Sequence, residues 1–181
     1  CADCREAKHP RVDRVFAAAV YDDLVKTAVK LFKFGGRRRL AGPMGEALRE
    51  MVRERMDVGL YDLVIPVPLH PVRLRQRGFN QSLLLSQEVL PEFPRAALDE
   101  SLIRVRPTRA QSRLKPKERA ENVRGAFAVT GDTVKKKTIL LVDDVVTTRE
   151  TVTECARVLR RAGAVRVDVL AFALAVPRTR W

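Results

Sequence analysis

The chain has 181 residues, 46% hydrophobic and 31% charged, enough for one α/β domain with a buried core and a small appendage but short for two full domains. That composition excludes a disordered chain, and no apolar run approaches the ~20 residues that a membrane helix requires, so no membrane insertion is expected. Thirty-five Lys and Arg against 22 Asp and Glu give a formal charge of +13, a surface suited to polyanions, either phosphorylated small molecules or nucleic acid.

Cys1, Cys4 and Cys155 are too few and too unevenly placed for a disulfide framework, which favours a reducing compartment with the cytoplasm as default. No export leader is readable at the start of the chain, and a segment upstream of Cys1 is expected.

Residues 15–21 read as a short buried strand, after which Asp22 or Asp23 caps a helix. Leu24, Val25, Ala28, Val29, Leu31 and Phe32 recur at helical spacing up to Gly35 and Gly36, a natural stop. After Arg37, Arg38 and Arg39 a second helix runs from Pro43 to about Met56. Leu63, Val64 and Ile65 form a strand that breaks into the Pro-rich stretch Pro66-Val67-Pro68-Leu69-His70-Pro71. Asn80 caps a helix carrying Leu83, Leu84, Leu85 and Val89, closed by Pro91 and Pro94. Residues 102–105 suggest a further strand, and residues 106–124 are almost wholly polar and basic, the pattern of an exposed loop or mobile arm. Residues 138–142 form an apolar, β-branched strand, 150–162 a helix stopped by Gly163, and 165–173 a final strand. Strands alternating with helices predict an α/β fold with a doubly wound, mainly parallel sheet.

The chemistry concentrates in Ile139-Leu140-Leu141-Val142-Asp143-Asp144-Val145-Val146-Thr147-Thr148-Arg149-Glu150-Thr151. A buried strand delivers two carboxylates to its carboxyl end, where open α/β sheets bind ligands. The chain then turns through hydroxyl residues into a helix, whose free backbone N–H groups and positive dipole end suit a phosphate. Carboxylates beside a phosphate cradle are compatible when the acids address ribose hydroxyls of the same ligand. Phosphoribosyl pyrophosphate (PRPP), with its 5-phosphate, ribose hydroxyls and metal-bound pyrophosphate, satisfies the whole arrangement. A Walker B strand also ends in acids, but the chain holds no Gly-x-x-x-x-Gly-Lys-Ser/Thr loop. A phospho-receiver domain carries its acids near its start, and too few residues follow Asp144 here.

The segment resembles the PRPP-binding motif of type I phosphoribosyltransferases, in which two acids precede a Thr-rich phosphate loop. Pro66-Val67-Pro68-Leu69-His70, Arg77-Gly78-Phe79-Asn80-Gln81, and then Arg109, Gln111, Arg119, Asn122 and Gly125-Ala126-Phe127 extend the resemblance, over nearly the whole chain, to the ComF family of phosphoribosyltransferase-like proteins. Some members of that family are associated with competence and DNA uptake. The resemblance implies a phosphoribosyltransferase-like domain over residues 15–181. Residues 1–14, with Cys1 and Cys4, would be the second half of a four-cysteine zinc ribbon, with zinc bound only if the other half is present.

The resemblance further implies that Asp143 and Asp144 orient the ribose and, indirectly, a magnesium ion, and that Val145, Val146, Thr147, Thr148, Arg149, Glu150 and Thr151 enclose the ribose and 5-phosphate. Val67, Pro68, Leu69 and His70 would form the pyrophosphate loop. Arg77, Arg109, Gln111, Arg119 and Asn122 would add flexible-loop and basic contacts, in an arm that closes over the ligand. The implied reaction displaces pyrophosphate from PRPP by an unidentified acceptor, and no general base stands out. One departure is Arg149, which replaces the Gly of the usual Thr-Thr-Gly core, where Gly permits positive φ and close backbone approach. Two other readings fit the charge and the family: a non-catalytic sensor of a phosphoribosyl ligand, and a basic module binding single-stranded DNA, with DNA-uptake machinery as a partner. The 6% aromatic content shows no stacking platform for the latter.

Overall fold

The computed structural model describes residues 12–34, 36–108 and 116–176. Strand β1 (Val15–Val20) leads through α1 (Asp23–Phe34) and α2 (Ala41–Arg55) to β2 (Leu63–Pro66). Then come α3 (Pro71–Arg77), α4 (Gln81–Val89), β3 (Ala97–Leu98), β4 (Leu102–Arg104), α5 (Pro116–Val123) and β5 (Phe127–Val129). The chain finishes with β6 (Thr138–Val146), α6 (Glu150–Arg161) and β7 (Arg166–Leu174). Five strands form one sheet in the order β1-β7-β6-β2-β3, every pairing parallel, and β4 and β5 form a separate antiparallel ribbon. The doubly wound parallel sheet expected from the alternation of elements is the one observed.

β6 and β7 read as near-continuous apolar runs because both faces of the sheet are covered. Ile139, Leu141, Val167, Val169 and Ala171 face one core, shared with Val152, Cys155, Ala156 and Leu159 of α6 and Val123 of α5. Leu140, Val142 and Leu170 face the other, built with Val29 and Phe32 of α1, Leu48 and Val52 of α2, and Leu85 and Val89 of α4. Each such large side chain contributes about 1.5–3 kcal/mol by leaving water. A buried carboxylate lies within this apolar interior. Asp168 is fully buried, but it accepts from Tyr61 Oη at 2.8 Å and from the Arg166 guanidinium at 3.0 Å, so its charge is satisfied.

Three local readings needed correction, and one gained detail. β6 runs four residues past Val142, because it stays paired with β7 as far as Val146 opposite Leu174. The carboxylates therefore sit within the strand. Residues 71–77 form a helix that sequence periodicity missed; Pro71 opens it, His70 caps it and Gly78 ends it at φ +79°. In α4 only Leu85 and Val89 of the apolar quartet are buried, and the inward positions also hold Gln81, Ser82 and Ser86. Finally, residues 116–123 of the supposed arm are helical, with Val123 buried against α6.

The topology fixes where a ligand belongs. From β6 the chain proceeds through α6 to β7 on one side, and from neighbouring β2 it proceeds through α3 and α4 to β3 on the other. The helices that follow lie on opposite faces, so the loops leaving β2 and β6 part and open a crevice at the carboxyl edge of the sheet.

Candidate functional site

Asp143 and Asp144 occupy that edge, and successive strand residues point to opposite faces. Asp143 Oδ1 accepts from Ser82 Oγ of α4 at 3.0 Å and from the Asp144 backbone N–H at 2.9 Å. Asp144 is 4% exposed, and its Oδ2 lies 2.8 Å from Lys33 Nζ at the end of α1. Burial, followed by the Asp144 charge beside it, pushes the Asp143 pKa up to about 7, although Lys33 opposes the shift. For Lys33, burial alone would favour the neutral amine, yet the charges of Asp144 and Asp143 outweigh it and hold the pKa above the usual lysine value.

Beyond β6, residues 147–149 turn into α6, and Glu150 occupies its first turn. Arg149 sits at the N-cap in the left-handed region, φ +62°, with no side-chain cap hydrogen bond. The position thus adopts the conformation for which the familiar Gly would be suited, at a cost of about 1–2 kcal/mol for a residue with a Cβ. A small pocket of about 20 Å³ is lined by Asp143, Val145, Val146, Thr147, Arg149, Glu150, Thr151 and Val152. Thr148 Oγ1 is buried beside it in sequence without a hydrogen-bond partner.

The Arg77-Gly78-Phe79-Asn80-Gln81 string has a local job for each residue. Gly78 supplies the left-handed turn that ends α3, and Phe79 is buried against Phe32 with ring centroids 5.7 Å apart. Asn80 caps α4 by accepting from the Ser82 N–H, while its Nδ2 donates to the Val67 carbonyl at 3.2 Å. This one side chain therefore ties the Pro-rich loop to the helix that supports Asp143. Arg77 donates to Gln81 Oε1 at 2.6 Å and lies 5.0 Å from the Phe34 ring. Gln81 Nε2 is left buried and unpaired.

These parts enclose a cleft of about 310 Å³ lined by Val67, Pro68 and Leu69, by Asp143, Asp144, Val145 and Thr151, and by five cations: Lys30, Lys33, Arg73, Arg77 and Arg104. Burial pulls the Arg77 and Arg104 pKa values below their usual level, against the pull of the nearby carboxylates. A larger groove of about 640 Å³ shares Pro68, Leu69 and Arg104 with the cleft, but its lining is mainly apolar and excludes both carboxylates. The charges converge in the smaller cavity, which is the candidate site. His70 faces the larger groove, and its Nδ1 accepts from the Val72 N–H at 3.3 Å as the cap of α3. All peptide bonds among the described residues are trans, including those of this loop.

Arg109 and Gln111 lie outside the described residues, as do the Arg119 side chain and Cys1 and Cys4 of the possible zinc half-site. Asn122 belongs to α5, and its carbonyl accepts from Arg106 at 3.0 Å; it is not among the described residues that line the cleft. Arg106 also reaches the Arg124 carbonyl at 2.8 Å, stapling the two ends of the arm together. Glu154 of α6 accepts from the Gly125 N–H at 2.7 Å, which anchors the returning chain to the helix that follows the 147–149 turn. Lys33, Arg73, Ser82 and Arg104 were missed from sequence. A lysine or arginine in a basic chain reads as solvated, and only the tertiary arrangement distinguishes these.

The fold is matched among solved structures by a glutamine PRPP amidotransferase from B. subtilis complexed with ADP and GMP. The TM-score is 0.53 at 19% identity, over 80% of this chain and 30% of that one. The class is therefore the type I phosphoribosyltransferase fold. No family model matches the chain. Among curated proteins, Competence protein F of Haemophilus influenzae is 32% identical over 181 residues, covering 97% of this chain and 78% of the relative. DNA utilization protein YhgH of Salmonella typhimurium is 34% identical over 172 residues, 93% and 75% of the two chains. Competence protein ComFC of Streptococcus pneumoniae is 33% identical over 158 residues, 87% and 66%. The chain belongs to the ComF family. No helix among the described residues is long and apolar enough to cross a membrane.

Proposed function

We propose that the cleft binds PRPP together with magnesium and that the protein transfers the phosphoribosyl group to an acceptor, releasing pyrophosphate. The observation that carries this reading is convergence. The acid pair of β6 and the loop after β2 line one cleft with five cationic side chains, and the turn into α6 lines a small pocket that shares Asp143, Val145 and Thr151 with it. The ribose hydroxyls donate to Asp143 and Asp144, and the backbone amides at residues 147–151 receive the 5-phosphate. Arg73 and Arg77 face the pyrophosphate, with the amides of Leu69 and the cap residue His70 beside it, while the Val67 N–H is held by the Val142 carbonyl of β6 at 2.9 Å. In the reaction the bond between C1 and the pyrophosphate oxygen breaks, its electron pair leaving with pyrophosphate, while an acceptor lone pair forms the new bond to C1 and the acceptor gives up a proton. Positioning supplies most of the rate.

The donor set fits magnesium. Among the described residues no group of three or more metal-ligating side chains assembles, and magnesium typically uses one or two carboxylates, waters and the substrate's own phosphates rather than a protein cage. Asp143 and Asp144 would hold it indirectly, and when bound it would neutralise charge on the departing pyrophosphate.

The names of the relatives refer to competence and DNA utilization, and with a charge of +13 they support a place for this protein in DNA uptake, with single-stranded DNA or the uptake machinery as partner. Calorimetric titration with PRPP and magnesium tests the core of the proposal. Saturable binding that is lost in the double variant Asp143→Asn, Asp144→Asn is expected, and no binding by the intact chain would sink it. Pyrophosphate release on addition of candidate acceptors separates an enzyme from a ligand sensor.

A further inference from the structure

The cation that meets the acid pair comes from a part of the chain far from it in sequence. On α1, Val29 and Phe32 are buried in the core, and the same helix carries Lys33 to 2.8 Å from Asp144 Oδ2. The Lys33 side chain is 25% exposed and that of Asp144 6%. No hydrogen-bond donor among the described residues satisfies this oxygen apart from the ammonium. A lysine in the last turn of a helix ordinarily points to water, where it interacts with the helix dipole without losing its hydration. Here it is drawn inward, beside two carboxylates that would repel each other and any phosphorylated ligand. Ordering and desolvating the ammonium is unfavourable unless a specific charge offsets it.

We propose that Lys33 is a positioning residue of the ligand site: it fixes the Asp144 carboxylate for hydrogen bonding to vicinal hydroxyls and cancels one of the two negative charges that a phosphorylated sugar must approach. The proposal rests on the PRPP reading and extends the site into α1. A lysine that only ties α1 to the sheet would affect stability, but its replacement would leave the ligand affinity of the folded protein unchanged.

The test is a double-mutant cycle in the affinity for PRPP with magnesium, measured by calorimetry on the full chain. Lys33→Met and Lys33→Gln are expected to weaken binding by at least about tenfold, with thermal unfolding confirming that each is folded. Lys33→Arg, which keeps the charge, should recover to within about threefold of wild type. Asp144→Asn should cost at least about tenfold alone but less than about threefold in the Lys33→Met background, because the two residues act as one unit. Wild-type-like affinity of the Met and Gln variants, or losses that simply add, overturns the role of Lys33 while leaving the PRPP reading intact. Absence of binding by the wild-type chain overturns both.

Discussion

Asp143→Asn gives the sharpest link between the site and the stability of the fold. Asp143 titrates near 7 in the folded protein because burial and the Asp144 charge disfavour its ionisation, against an ordinary value of 3.8. Between these two values the folded state holds a proton that the unfolded chain has released. The stabilisation from that proton is fully present below about pH 4 and is lost as pH rises through about 7. At ~1.4 kcal/mol per pH unit the gap bounds the effect at roughly 4 kcal/mol, and solvent access through the open cleft reduces it to about 1–3 kcal/mol. Asparagine retains an oxygen that can accept from Ser82 Oγ and the Asp144 N–H, so the substitution removes the charge with little change of shape. Urea unfolding at a series of pH values from about 5 to 8 should show wild type losing stability across the interval relative to the variant, which becomes the more stable protein at the alkaline end. PRPP affinity should fall in the same variant. Parallel stability profiles for the two proteins would refute the reasoning.

Arg149→Gly should raise stability by about 0.5–1 kcal/mol, since relief of the left-handed strain exceeds the added freedom of glycine in the unfolded chain; a lower thermal midpoint would contradict this. Gly45→Ala should destabilise by about 1–3 kcal/mol in urea unfolding, because a Cβ there would lie 2.5 Å from Glu88 Cβ and 2.8 Å from its Cγ, forcing α2 and α4 apart. Tyr61→Phe removes one hydrogen bond from fully buried Asp168 and should cost about 1.5–3 kcal/mol in the same assay, while PRPP affinity of the folded protein stays at the wild-type level.

The fold was legible where hydrophobic pattern and backbone chemistry agreed. Residues 139–142 read as a buried strand because four consecutive apolar residues face two cores, and α1 was legible from its spacing and its stop at Gly35 and Gly36. The acid pair and the hydroxyl turn were legible as a motif because contiguous residues form that part of the site. Lys33 was not, because its role depends on packing between α1 and β6, and nothing in Phe32-Lys33-Phe34 distinguishes an inward lysine from a solvated one. α3 escaped because seven residues rich in Arg show too little apolar periodicity, although Pro71 and Gly78 bracket it with recognisable start and stop signals. In α4 the helix was legible, but not which of its apolar residues pack inward. Leu83 and Leu84 line the apolar groove instead, since the inward N-terminal positions are taken by Gln81 and Ser82, which meet Arg77 and Asp143.

That displacement belongs to a wider pattern. Several places where this chain departs from what favours folding alone lie around the cleft and the small pocket beside it. Asp143 is held where its charge is disfavoured, Arg149 adopts a backbone conformation suited to glycine, and α4 turns polar residues inward. Gln81 Nε2 and Arg104 Nε in the cleft lining, and Thr148 Oγ1 in the turn before α6, are buried without partners, and each is a group able to donate a hydrogen bond. An unpaired buried donor costs about 1–3 kcal/mol, so several in one neighbourhood are hard to reconcile with a purely structural role. Donors are what a polyanionic ligand needs, whereas the acid pair supplies acceptors for its hydroxyls. The same cleft therefore offers acceptors at its floor and unused donors at its walls, a distribution that a sugar phosphate satisfies and that a simple anion or a neutral sugar would satisfy only in part.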